Sequence, residues 1–133
     1  MMDQAAAGLY RQMDVLAMSP AQRVVALTAR VHLSLRQARM AIEAGDIEER
    51  EKRLNNATAI IHELLAALDL DRGGEIASRL AGIYTWLLRE CFAVHIKPEA
   101  ARLDSPISII GELHSAWSEV ARLAPQASIA GAA

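Results

Sequence analysis

A chain of 133 residues with a net charge of −2, 53% apolar and only 4% aromatic, has room for one domain whose core is built from Ala, Leu, Ile and Val. Its 14 Lys and Arg are spread without a basic run, which argues against a nucleic-acid binder, and no apolar stretch approaches the roughly 20 residues of a membrane span. Met1 to Gly8 has neither the charged nor the apolar region of a secretory signal, and the single cysteine, Cys91, excludes an internal disulfide and fits a reducing cytosol.

In chain order, residues 1–19 read as an N-terminal segment that caps a groove, 20–124 as a four-helix domain, and 125–133 as a small, uncharged, mobile tail. The first helix begins at Pro20. Ser19 is a good N-cap, Pro20 suits the first helical position, and Gln22 completes a capping box. It runs to Ala44, where Gly45 supplies the left-handed residue after the end. Its core seam is Val24, Leu27, Val31, Leu35, Ala38 and Ile42, in steps of three and four.

The second helix starts at once, with Asp46 as N-cap and Glu48 and Glu49 at the positive end of the helix dipole. Its seam is Ile47, Leu54, Ala57, Ile61, Leu64 and Leu68, and it stops around Asp69–Arg72, before Gly73-Gly74. The short link makes the first two helices antiparallel neighbours. The third runs from about Glu75 to His95 on a seam of Ile76, Leu80, Ile83, Leu87, Cys91 and Val94. Lys97-Pro98 ends it, because a residue before proline avoids the helical region. Gly82, costly inside a helix, is expected at a close helix crossing.

The fourth follows a loose turn from Pro98 to Leu103, with Ser105 as N-cap and Pro106 in the first position. Its seam is Ile107, Ile110, His114, Trp117 and Ala121. Four amphipathic helices with short links predict an all-α, antiparallel up-down four-helix bundle.

Nothing along the chain points to catalysis or a cofactor. His32, His62, His95 and His114 form no metal-binding i, i+4 pair, and no Glu-x-x-His pair of the di-iron bundles occurs. His114 and Cys91 fall on apolar seams and read as a satisfied core histidine and a small buried hydrophobe. The informative residues are surplus apolar ones. Leu33 and Met40 lie opposite the seam of the first helix, flanked by Ala26 and Ala29. Leu88 and Phe92 lie off the seam of the third, on the side of Tyr84. A second apolar stripe on a helix suits a groove for a partner's amphipathic helix, against scattered exposed hydrophobes or packing on the N-terminal segment or a second subunit.

The spacing of Tyr10, Val15 and Pro20, leading into Ala41-Ile42-Glu43 and Asp46, resembles the N-terminal half of the FliS-type flagellin export chaperones. The likeness continues through Leu54, Ala57, Ile60-Ile61, Glu63-Leu64 and Leu68-Asp69 of the second helix. In the third, Ile83-Tyr84, Leu87-Leu88-Arg89 and Ala93-Val94-His95-Ile96-Lys97 are similar, and Ala116-Trp117 matches near the end. The chain departs from the family at Arg23, where leucine is usual, at Thr28-Ala29-Arg30, at Gly73-Gly74 and at Ser105-Pro106. The resemblance implies a cytoplasmic bundle without catalysis that holds the C-terminal segment of flagellin, prevents premature polymerisation and aids delivery to the type III export apparatus. The resemblance brings in Tyr10 and Val15 of the N-terminal segment, and with the apolar stripes the expected partner-binding residues are Tyr10, Val15, Leu33, Met40, Ile60, Tyr84, Leu88 and Phe92. Further partners it suggests are a component of the export gate and an anti-sigma factor. A diverged bundle serving another flagellar partner, as co-chaperone or regulator, is the alternative reading.

Overall fold

The computed structural model describes residues 18–123, and in that span the chain is helical with short links. Helix α1 spans Pro20–Ala44. Its start is a closed capping box: the Gln22 amide donates to Ser19 Oγ at 3.2 Å, and the Ser19 amide donates to Gln22 Oε1 at 3.0 Å. At its end Gly45 takes φ 70°, a left-handed conformation with no Cβ to clash. The Gly45 and Asp46 amides then turn back onto the carbonyls of Ile42, at 3.1 Å, and Ala41, at 2.9 Å, satisfying helix-end acceptors in the Schellman pattern. Helix α2, Ile47–Ala66, follows after two residues, with Asp46 Oδ1 accepting from the Glu49 amide at 3.0 Å.

The next junction differs from the sequence reading. Helix α2 ends at Ala66, not near Asp69–Arg72, and α3 spans Leu70–Ile96. Asp69 is extended and caps the turn by accepting from the Arg72 amide at 3.0 Å. One helical turn forms from this cap, and Gly74, at φ 56° and ψ −133°, breaks it before Glu75. The expected start at Glu75 is therefore the second leg of a kinked helix. A one-turn 3₁₀ helix, Ala100–Leu103, leads directly into α4, Asp104–Leu123. Ser105 is thus inside α4 rather than its N-cap. Pro106 fits there because first-turn amides lack intrahelical partners, and its ring is buried. The segment before it is not a loose turn, because Leu103 is fully buried.

Successive helices run antiparallel, as expected of an up-down bundle. Helix α1 packs along both α2 and α4, and α3 packs on α2, whereas α3 and α4 approach each other only sparsely. The core contains Val24, Val31, Leu35, Leu54, Ile61, Leu64, Tyr84, Leu87, Cys91, Val94 and Ile110. Two seam expectations fail: Ile47 and Ile76 are exposed. Ile47 sits in the first turn of α2, and Ile76 in the first turn after the Gly74 break. No helix among the described residues is long and apolar enough to cross a membrane.

Candidate partner-binding surfaces

Helix α2 has a groove on each side, with exposed Met40 of α1 lining one and exposed Phe92 of α3 lining the other. On the α1 side, Ala26, Arg30, Leu33, Gln37, Met40 and Ala44 recur in steps of three and four and so share one face. Leu33 is 52% exposed and Met40 67%. Two depressions lie along this face. The first, about 360 Å³, is lined by Met18, Arg23, Ala26, Leu27, Arg30 and Glu63. The second, about 260 Å³, is lined by Gln37, Met40, Ala41, Ala44, Asp46 and Glu49. Two of the family departures, Arg23 and Arg30, are therefore groove residues. Another, Thr28, is fully buried on the opposite side of α1.

Between α2 and α3 a groove of about 270 Å³ is lined by Leu54, Asn55, Thr58, His62, Leu88, Cys91, Phe92 and His95. Phe92 stands out of it at 66% exposure, and Leu88 packs partly on the core. The rim is a charged clasp between α2 and α3. His95 Nδ1 lies 2.7 Å from Glu51 Oε2, and Arg50 Nη2 donates to Glu51 Oε1 at 2.9 Å. The Arg50 hydrogen bond, helped by His95, holds the Glu51 carboxyl below its ordinary pKa. Cys91, at the floor, is pushed up to about 12 by burial and the nearby Glu90 charge, so its thiol is protonated and unreactive at neutral pH.

Of the eight residues expected to bind a partner, Leu33 and Met40 lie on the α1/α2 face and Leu88 and Phe92 in the α2/α3 groove. Tyr10 and Val15 lie outside the described residues. Ile60 and Tyr84, expected among the partner-binding residues, are instead core residues, at 7% and 0% exposure, and offer a partner no free surface in this structure. Tyr84 completes the run Ala77, Leu80, Tyr84, Leu87, Cys91, Val94, which alternates steps of four and three and is buried throughout. Burial raises the Tyr84 phenol to about 12, and among the described residues its hydroxyl has no hydrogen-bond partner. Ile60 is covered because α2 lies between α1 and α3 and buries two adjacent stripes.

A third groove was not anticipated. Where α3 and α4 diverge, Arg79, Gly82, Ile83, Trp86 and Ile109 line an apolar cleft of about 480 Å³. Gly82 lies there with nothing within 4 Å of a would-be Cβ, so it does not mark a close helix crossing. The available signal was the α4 stripe Ile109, Leu113, Ala116, Val120, Leu123, a second uncharged face at helical spacing beside the core seam. No group of three His, Cys, Asp or Glu among the described residues is placed to hold a metal ion.

Residues 1–124 match the family model described as flagellar protein FliS. The flagellar secretion chaperone FliS of Salmonella typhimurium is 29% identical over 115 residues, covering 86% of this chain and 83% of that protein. The flagellar secretion chaperone FliS of Vibrio cholerae is 33% identical over 104 residues, covering 78% and 76%. That of Campylobacter jejuni is 34% identical over 84 residues, covering 63% and 66%.

Proposed function

The chain belongs to the FliS family of flagellar secretion chaperones, and from that premise we propose that it binds the C-terminal segment of flagellin in the cytoplasm, keeps it from polymerising, and aids its delivery to the flagellar type III export apparatus. The role is one of binding, not catalysis. The observation that carries the reading is the set of apolar grooves around one small bundle: α1/α2, α2/α3 and α3/α4. A partner that polymerises through amphipathic helices has apolar faces to hide until export. Short helices, each seated in its own groove and joined by extended links over α2, would hide them. A segment that is disordered alone and folds on the chaperone can wrap such a surface at modest affinity per unit area. The outward side of α2 is suited to being crossed, since Asn55, Asn56 and Ala59 are exposed, short and uncharged.

Calorimetric titration with the C-terminal segment of a flagellin from the same genome tests this. One-to-one binding with a large negative heat-capacity change is expected for folding coupled to burial of apolar surface. Absence of binding overturns the flagellin assignment and leaves the bundle to another flagellar partner.

A further inference from the structure

The seam between α1 and α4 is built differently from the rest of the core. Thr28 is fully buried there and donates its hydroxyl hydrogen to the Val24 carbonyl at 2.8 Å. From α4, His114 Nδ1 lies 3.2 Å from the Val25 carbonyl oxygen and 3.3 Å from Thr28 Oγ1. A carbonyl oxygen only accepts, so the His114 Nδ1 is the donor in this contact. One turn along α1, His32 lies flat on α4 where Gly111 has no side chain. A Cβ at 111 would stand 3.4 Å from both Cδ2 and Nε2 of the imidazole. Burial, then the Arg36 guanidinium, then His114 hold the His32 pKa below its ordinary value.

The groups that face His32 are thus Arg36 from its own helix and His114 from α4. Asp104, a carboxylate that α4 extends to α1, is engaged by Arg39 at 2.7 Å, two turns from His32. A proton taken up at His32 therefore enters a half-buried seam beside one fixed cation and one further imidazole. Helix α4 also has few other attachments. It packs closely on α1 and the 3₁₀ turn, and only sparsely, if at all, on α2 and α3.

We propose that Thr28, His32 and His114 form a proton-operated latch: acidification opens the α1/α4 seam and releases α4, while α1, α2 and α3 stay packed. In the neutral state His114 ties α4 to the α1 backbone and His32 fills the flat left by Gly111. Once His32 is protonated, it and Arg36 repel within the same turn, and the His32 imidazolium is better solvated away from α4. Release would expose the inner side of α4, including Ile107, Ile110 and Trp117, which the closed bundle covers wholly or in part.

Hydrogen exchange on the full chain at about pH 7.5 and about pH 5 tests the latch across the range in which imidazoles titrate. After correction for the intrinsic pH dependence of exchange, amides of α4 should exchange several-fold faster in acid. Amides of α2 should hold. His32→Gln should abolish most of the α4 response, and His95→Gln, which alters the clasp with Glu51 instead, should keep it. Should His32→Gln fail to fold, imidazole NMR of the unaltered protein decides: the His32 titration midpoint must coincide with that of α4 exchange. Loosening of all four helices together, an α4 response that survives His32→Gln, or a midpoint unrelated to His32 would each overturn the proposal.

Discussion

The two seams of α1 are held by opposite means. Toward α2 and α3 the core is dry and aliphatic: Leu35, Ile61, Leu64 and Leu87 are fully or almost fully buried and none titrates. Toward α4 the seam mixes Ile110 with Thr28, His32 and His114. Aliphatic burial depends little on pH, whereas a seam containing imidazoles changes with proton activity. One small bundle thus combines a part whose stability is fixed with a part whose stability depends on conditions.

The largest effect expected from disrupting the dry part is at Leu64. Leu64→Ala should destabilise by about 2–5 kcal/mol in urea denaturation, as for buried leucines generally; a loss below about 0.5 kcal/mol would take Leu64 out of the core. Tyr84 sharpens the contrast, since its hydroxyl is the one buried oxygen there without a partner among the described side chains. Tyr84→Phe should be neutral or stabilising by about 1 kcal/mol, because a buried unsatisfied hydroxyl costs more than it returns. A clear loss would reveal a bound water on that oxygen.

The α1/α4 seam should respond to pH instead. His32 has a folded pKa below its unfolded value of 6.5, so the unfolded chain binds the proton more readily. Its contribution to stability is then fully present above pH 6.5 and is lost as pH falls from there through the folded pKa. Denaturation midpoints measured from neutral pH downward should fall, and His32→Gln should flatten the trend. The smallest stability effect belongs to the grooves. Met40→Glu and Phe92→Glu should each change stability by no more than about 0.5 kcal/mol, as exposed substitutions usually do, yet weaken binding of the flagellin segment. A collapsed circular dichroism spectrum for either variant would place that residue in the core.

The ends and inner faces of the helices were legible where local chemistry decides them. Ser19 with Gln22, Gly45 and Asp46 are caps whose side chains or backbone bond within a few residues, and each works as read. Cys91 and His114 were recognisable as a buried thiol and a satisfied histidine because both fall on an apolar step. The burial of Tyr84 and Ile60 is not legible from one seam per helix. A helix with neighbours on two sides buries a wider arc, and only the packing order around the bundle fixes where that arc lies. The same order explains Gly82 and Gly111. Spacing alone cannot say which glycine faces another helix, and it is Gly111, not Gly82, that meets a side chain from across a seam. Asp69 was read as the end of a helix because the pull of one aspartate on a single amide competes closely with continuing the turn.

The flat face at Gly111 also bears on how this sequence can drift over generations. A methyl group at 111 would just touch the imidazole of His32, and any larger branch would occupy its place. A side chain larger than alanine at 111 therefore calls for a smaller one at 32, and the proton-sensitive group is lost with it. Among descendants of this chain, the size of residue 111 should report whether the seam still carries its histidine.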